Sequence, residues 1–260
     1  MLLTIDSGNT NVVFAVFDGE QPPDRPRGRW RASSDAKRTA DEYAVWLTQL
    51  MALEGLGPAD IDGAIIASVV PPTVHALKTL CSRYFKVEPM MIGDPGVELG
   101  IAVNAQQVGA DRLVNAVAGH ARYEGALIIL DFGTATSFDV VGPQGSYEGG
   151  VLAPGVNLSV EALYQASAQL PRIAVRRPDK VVGKATVPAM QSGLYWGYAA
   201  MIEGVIDRIK AETGWSMTVI ATGGLAPLFA EACPSIDHSD PDLTVRGLAQ
   251  IYEANRKDRP

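Results

Sequence analysis

Leu2-Leu-Thr-Ile-Asp-Ser-Gly-Asn-Thr-Asn-Val-Val-Phe-Ala-Val-Phe17 opens the chain, and Leu127-Ile-Ile-Leu-Asp-Phe-Gly-Thr-Ala-Thr-Ser-Phe-Asp-Val-Val-Gly142 echoes it near the middle. Each stretch is an aliphatic run, a short turn of Asp, Gly and small polar residues, and a second apolar run. That pattern predicts strand, tight turn, strand. Laid over one another without a gap, the two place Asp6 on Asp131, Gly8 on Gly133 and Asn9 on Thr134. Two such hairpins half a chain apart suggest a duplicated α/β lobe. Two unrelated hairpins sharing a common Asp-x-Gly turn are the alternative.

Working outward, strands alternate with helices, which points to an α/β protein. Residues 21–28 read as a proline-broken polar loop, and 39–53 as a helix with Tyr43, Leu47, Leu50 and Met51 at helical spacing. A buried strand is expected over 63–70, stopped by Pro71-Pro72, then a helix over 74–85 and a short strand over 89–92. An alanine- and valine-rich helix spans 108–123 and opens with Gly109-Ala-Asp-Arg. Beyond the second hairpin come a glycine-rich stretch at 145–150, a helix over 161–169 and an irregular basic stretch over 171–188. A long helix over 191–213, a strand over 218–221 running into Thr222-Gly-Gly-Leu, and a closing helix over 243–255 complete the chain.

The 260 residues are 47% hydrophobic and 20% charged, enough to bury a sizeable core in one large domain or two medium ones. A net charge of −7 argues against a nucleic-acid binder that neutralises phosphates with bulk positive charge. It does not argue against ATP, because loop amides and a divalent ion supply a positive field locally. Cys81 and Cys233 stand far apart, outside any metal or redox spacing, and read as free thiols. The first residues lack the basic flank of a signal peptide, and no apolar run approaches the roughly 18 residues of a membrane span. The cytoplasm is the expected location, with neither membrane nor nucleic acid as a partner.

A turn rich in Gly, Asn and Thr exposes several backbone N–H groups, and such a cluster of dipoles holds phosphate oxygens. A carboxylate at the end of the preceding strand repels phosphate unless a cation lies between them. Asp6 and Asp131 therefore each suggest a cation-assisted phosphate contact. Thr222-Gly-Gly-Leu admits two readings, a flat ligand such as adenosine against the backbone or tight helix–strand packing. Neither a G-x-x-x-x-G-K-[ST] loop nor a G-x-G-x-x-G turn occurs.

Asp6-Ser-Gly-Asn-Thr-Asn, Gly109-Ala-Asp-Arg followed by Leu-Val-Asn-Ala, and Asp131-Phe-Gly-Thr-Ala-Thr-Ser-Phe-Asp resemble marker segments of the type III pantothenate kinases. Ala67-Ser-Val-Val-Pro-Pro, Ala153-Pro-Gly-Val, Leu170-Pro-Arg, Met190-Gln-Ser-Gly-Leu-Tyr-Trp-Gly and Asp242-Leu-Thr-Val-Arg-Gly-Leu resemble others, in the family's order. The resemblance implies two duplicated ribonuclease H-like lobes of the actin-like ATPase superfamily, an N-terminal lobe over 1–117 and a C-terminal lobe over 118–260, with the last helix free to return to the first. It implies ATP-dependent phosphorylation of pantothenate in a homodimer, with Mg2+ and a monovalent cation, K+ or NH4+.

By the same resemblance, Asp6, Ser7, Gly8, Asn9, Thr10, Asn11, Val12 and Val13 would form the first phosphate loop, with Asp6 near Mg2+ and in indirect contact with it. Thr134 would contact phosphate from the second loop, and Asp131 would sit at the monovalent cation. Gly109, Ala110, Asp111 and Arg112 would line the pantothenate pocket, with Asp111 as base and Arg112 near the substrate carboxylate. Thr186 would complete that pocket from the other subunit or lobe. Many members carry a tyrosine seven residues before the Gly-Ala-Asp-Arg segment, and here that position is Ala102.

Other polar candidates read as structural. His75, His120 and His238 are isolated, and Arg172, Arg176, Arg177 and Lys180 read as a solvated basic run. Tyr195, Trp196 and Tyr198 share a helix and read as core or subunit interface. Asp111 alone, before a helix, would read as a cap. Two rival functions are a non-catalytic regulatory relative and a phosphatase of the same superfamily.

Overall fold

A computed structural model describes residues 1–19, 25–167 and 169–256. Residues 21–24 of the expected loop over 21–28, and Ala168 of the expected helix over 161–169, lie outside the described residues. The chain forms two compact units, Met1–Arg122 with Asp242–Pro260, and Tyr123–Pro241.

In the first unit, β1 (Leu2–Ser7), β2 (Asn11–Phe17) and β3 (Gly28–Ser33) form an antiparallel meander. Helix α1 (Ala40–Leu53) leads to β4 (Gly63–Ser68), which returns parallel beside β1. Helix α2 (Pro71–Thr79) and β5 (Met90–Met91) extend the sheet, whose order is β3-β2-β1-β4-β5. Helix α3 (Ala110–Arg122) closes the N-terminal part of the unit.

Period-2 alternation divides the strand residues between two cores. Leu3, Ile5, Val12, Phe14, Ala64 and Ile66 pack with Tyr43, Leu47 and Met51 of α1 and with Leu77 of α2. Leu2, Ala15, Phe17, Ile65 and Ala67 face the other way and pack with Val114 of α3. Thr39 caps α1 reciprocally with Glu42, whose backbone N–H donates to Thr39 Oγ1 at 3.3 Å.

The second unit repeats this plan. Strands β6 (Ala126–Phe132), β7 (Ala135–Val141) and β8 (Tyr147–Pro154) form the antiparallel meander. Helices α4 (Val156–Ala166) and α5 (Thr186–Thr213) precede β9 (Met217–Gly223), parallel to β6. Helix α6 (Ala226–Ala230) and β10 (His238–Ser239) follow, giving the order β10-β9-β6-β7-β8. Read from the third meander strand, both sheets have one topology, so the unrelated-hairpin alternative falls. The protein is α/β with two duplicated ribonuclease H-like lobes.

The ladders shift the overlay by one residue. Asp6 pairs with Val13 across its hairpin, but Asp131 pairs with Ser137, so the second turn is one residue shorter. Counted back from the second strands, Thr134 answers to Thr10 rather than to Asn9.

Four further expectations change. Strands β3 and β8 were not foreseen: one is an edge strand alternating arginine with small or aromatic residues, and the other begins inside the glycine-rich stretch. Pro71-Pro72 do more than stop β4, since they begin α2, where a missing N–H costs nothing. The helix expected over 74–85 is α-helical only to Thr79, and Leu80–Phe85 continues with wider i→i+5 turns, ended by Lys86 at φ 60°. Helix α5 begins at Thr186 instead of 191.

Helix α7 (Leu243–Arg256) packs with the first unit, where Val245, Leu248, Ala249 and Ile251 complete the core behind β1 and β4. It lies close on α3: a Cβ at Gly247 would stand 2.5 Å from the Val114 carbonyl oxygen and 2.8 Å from Val114 Cγ1. Gly247→Val must part the two helices. We expect a stability loss of about 2 kcal/mol, read as a lower urea midpoint; an unchanged midpoint would refute this packing.

Candidate functional site

In the first unit the carboxyl ends of β1 and β4 lie side by side, Asp6 opposite Ala67 and Ser7 opposite Ser68. The β1–β2 turn is closed by the Gly8 N–H, which donates to the Asn11 carbonyl at 3.0 Å. Asn9 and Thr10 are exposed on it, and Asp6 is half-buried at its base. Ser7 and Val12 have other work. Val12 is fully buried in the core, and Ser7 Oγ lies 2.8 Å from Thr73 Oγ1. Because Thr73 donates to the Val70 carbonyl at 2.9 Å, Ser7 is the donor of that pair. The Val69 N–H donates to Ser7 O at 3.1 Å, so the β1–β2 turn and the β4–α2 loop are tied together.

The β4–α2 loop reaches the Gly109 segment, where a Cβ on Gly109 would stand 3.4 Å from Val69 Cγ1 and 2.6 Å from Asp111 Oδ1. Glycine at 109 thus leaves room for the Asp111 carboxylate. Asp111 is the second residue of α3, inside the first turn rather than at the cap position, and its Oδ1 accepts the Arg112 N–H at 2.8 Å. A carboxylate there sits in the favourable field of the helix N-terminus. Asp111 and Arg112 are both half-buried.

In the second unit Asp131, the last residue but one of β6, is half-buried, and the Gly133 N–H closes the turn by donating to the Ala135 carbonyl at 3.0 Å. Gly133 and Thr134 are exposed. The Gly155 N–H, at the start of α4, donates to Thr134 O at 3.0 Å, and a Cβ at 155 would stand 2.2 Å from that oxygen. Only glycine lets the N-terminus of α4 approach the turn so closely. Gly155 lay in a marker segment, but its role was not legible until the turn and the helix were seen together.

The Thr222-Gly-Gly-Leu question divides by residue. Gly223, at φ +89°, meets Asp131 Oδ1 and Phe132 O, each 2.7 Å from where its Cβ would be. That is close packing around two oxygen donors. Gly224 faces open space within 4 Å.

The remaining candidates separate cleanly. Tyr195 and Tyr198 pack against Phe229 in the core of the second unit, with Trp196 beside them. They form no exposed interface cluster. Arg172 pairs with Glu161 at 2.8 Å and lies over the Tyr164 ring, while Arg177 lies over Trp196. His75, His120 and His238 are exposed, and Thr186 is the exposed first residue of α5. Burial pushes the Cys81 and Cys233 thiols up to about 12, which removes both as nucleophiles. Ala102 is exposed.

Among the described residues, no three His, Cys, Asp or Glu side chains gather as a metal cage. The oxygens of Asp131 and Phe132 above Gly223 suit a hard monovalent cation. No helix among the described residues is long and apolar enough to cross a membrane.

Comparison with known proteins bears on these turns. The family model for type III pantothenate kinase matches residues 2–208. A type III pantothenate kinase of Paramagnetospirillum magneticum is 61% identical over 258 residues, covering 98% of each chain. Among solved structures, a protein described as a Baf family transcriptional activator from Campylobacter jejuni superposes with TM-score 0.62 at 17% identity, covering 98% of this chain and 99% of that one. The inorganic polyphosphate/ATP-glucomannokinase of an Arthrobacter species has TM-score 0.50 at 13% identity, covering 99% of each chain. These two likenesses are of fold. With the family model spanning both hairpin turns and the Gly109–Arg112 segment, and close identity along the full length, the chain belongs to the type III pantothenate kinase family.

Proposed function

We propose that the protein transfers the γ-phosphoryl group of ATP to the primary hydroxyl of pantothenate, giving 4'-phosphopantothenate in the first step of coenzyme A synthesis. The observation that carries this reading is the Gly109–Arg112 segment, which offers a half-buried carboxylate at a helix N-terminus, next to the loop that is bonded to the Asp6 turn. Asp111 accepts the hydroxyl proton as the substrate oxygen bonds to phosphorus and the bond to the ADP oxygen breaks. Arg112 pairs with the pantothenate carboxylate, and Gly109 and Ala110 let the substrate approach.

At the first turn, the N–H groups and side chains of Asn9, Thr10 and Asn11 hold phosphate oxygens. Ser7 and Val12 serve that turn as its internal fastening. Thr134 holds phosphate at the second turn, with the α4 N-terminus behind it. Mg2+ bound with ATP would neutralise charge on the phosphates, and Asp6 would hold it through water. Asp131 with the Phe132 carbonyl would hold K+ or NH4+. The use of ATP as phosphoryl donor supports a cytoplasmic location.

A homodimer completes the reading, with Thr186 of one copy at the substrate of the other. Its support is a set of exposed apolar side chains in the second unit, Leu152 at 60% and Val182 at 78% exposed, together with Val151, Leu158, Val181 and Val187.

Three measurements test this. Asp111→Asn keeps size and most hydrogen bonding but cannot take a proton, so turnover at saturating substrates should fall by roughly 10²–10⁴-fold. Near-normal turnover would defeat the role given to Asp111. Rates should be high in potassium or ammonium and low in sodium or a bulky organic cation, and Asp131→Ala should abolish both the preference and most activity. Equal rates in all four salts would remove the cation from Asp131. Sedimentation at micromolar concentration should give a dimer that Leu152→Glu disrupts; a fully active monomer of the unaltered chain would overturn the assembly.

A further inference from the structure

Residues 92–109, between β5 and α3, contain no helix and no strand of the sheet. This exceeds the roughly 12–15 residues beyond which structureless connections become uncommon. The loop bends at Gly93, Gly96 and Gly100, with φ of 95°, 86° and 73°. It nonetheless delivers Gly109 and Asp111 to a defined place, so something must hold it.

Helix α7 does so at two points. Val97 and Leu99 pack against the core that Val245, Leu248 and Ile251 complete. Between them Glu98 turns its backbone to Asn255: its N–H donates to Asn255 Oδ1 at 2.8 Å, and its carbonyl accepts from Asn255 Nδ2 at 2.8 Å. The same Nδ2 donates to the Ile251 carbonyl at 2.8 Å, which fixes the amide on its own helix. Both backbone groups of one loop residue are thereby satisfied by one side chain. About two to three turns towards its N-terminus, α7 grips α3, through Gly247 on Val114 and through Thr244, whose Oγ1 donates to Asn115 Oδ1 at 2.7 Å. Asn115 lies one helical turn after Asp111.

We infer that α7 splints the pantothenate segment from both ends, and that Asn255 is a positioning residue that acts on the substrate through the 92–109 loop. This rests on the pantothenate reading of Gly109–Arg112. Asn255→Ala frees the loop without touching the phosphate turns or Asp111. The KM for pantothenate should rise about tenfold, the weight of one or two ordinary hydrogen bonds. The KM for ATP and kcat should stay within about twofold. Arg256→Ala, on the exposed neighbour, should change none of these.

Amide hydrogen exchange supplies a second reading that needs no substrate. The Glu98 amide should be protected in the unaltered protein and exchange faster in Asn255→Ala, with α1 and the second unit unchanged. Unchanged exchange at Glu98 would remove the clamp. Faster exchange with an unchanged pantothenate KM, or an equal loss in both KM values, kcat and melting temperature, would remove the positioning role. An unaltered protein that does not phosphorylate pantothenate would overturn the functional reading itself, an outcome distinct from these because it precedes any substitution.

Discussion

The burial of β1 and β6 along nearly their whole length is the constraint on which the rest depends. Leu3, Ile5, Leu127, Ile128, Ile129 and Leu130 have no exposed surface. A one-residue slip of such a strand would exchange the sets that fill its two buried faces and shift the aspartate near its carboxyl end along the ladder. That carboxyl end is the one place where a charged side chain is tolerated, and both strands put an aspartate there. Asp6 and Asp131 are half-buried at these ends, each at the foot of an exposed turn. The register that builds the core therefore also places the chemistry.

The two copies have diverged in how they fasten the turn. In the first unit the fastening is a buried hydroxyl relay, from Ser7 to Thr73 to the Val70 carbonyl, with the Val69 N–H returning to Ser7. In the second it is a backbone contact, the Gly155 N–H on Thr134 O, made possible by a missing Cβ. The first device spends polar side chains and leaves the turn one residue longer. The second brings a helix N-terminus to the turn and adds the field of its free N–H groups. Equal topology has thus produced unequal surroundings for the two exposed turns.

The hairpins, the alternation of elements and the acidic turns were legible because they follow short-range rules: period-2 burial, turn composition and capping. The edge strands β3 and β8 were not. They owe their pairing to β2 and β7, and their own residues, Arg29, Arg31, Gly149 and Gly150, carry little strand preference. The one-residue slip between the repeats was equally hidden, since both overlays keep an apolar residue at nearly every strand position. Tyr195, Trp196 and Tyr198 read as core or interface alike, and only packing on Phe229 decides for core. At the site, Asp6, Asp111, Asp131 and Thr134 stood out as residue types in a marker pattern. Thr73 and Asn255 did not, and Gly155 did so without a role, because each acts through a partner distant in sequence.

A chain of net charge −7 that binds ATP and pantothenate must solve a local problem rather than a global one. Screening confines the influence of exposed surface charge to about 8 Å at physiological ionic strength. In the first unit the exposed β1–β2 turn offers N–H groups, and α3 offers its N-terminus with Arg112 in the first turn. The place of Asp111 in the first turn of α3 bears on how it would act. Phosphoryl transfer through a loose transition state leaves the attacking hydroxyl with most of its proton until late. Under the proposed role, Asp111 would then orient the hydroxyl early and take its proton late. The precision of that orientation rests on the loop before α3 and on the helix packed behind it, so the last element of the chain governs the geometry of a segment laid down far earlier.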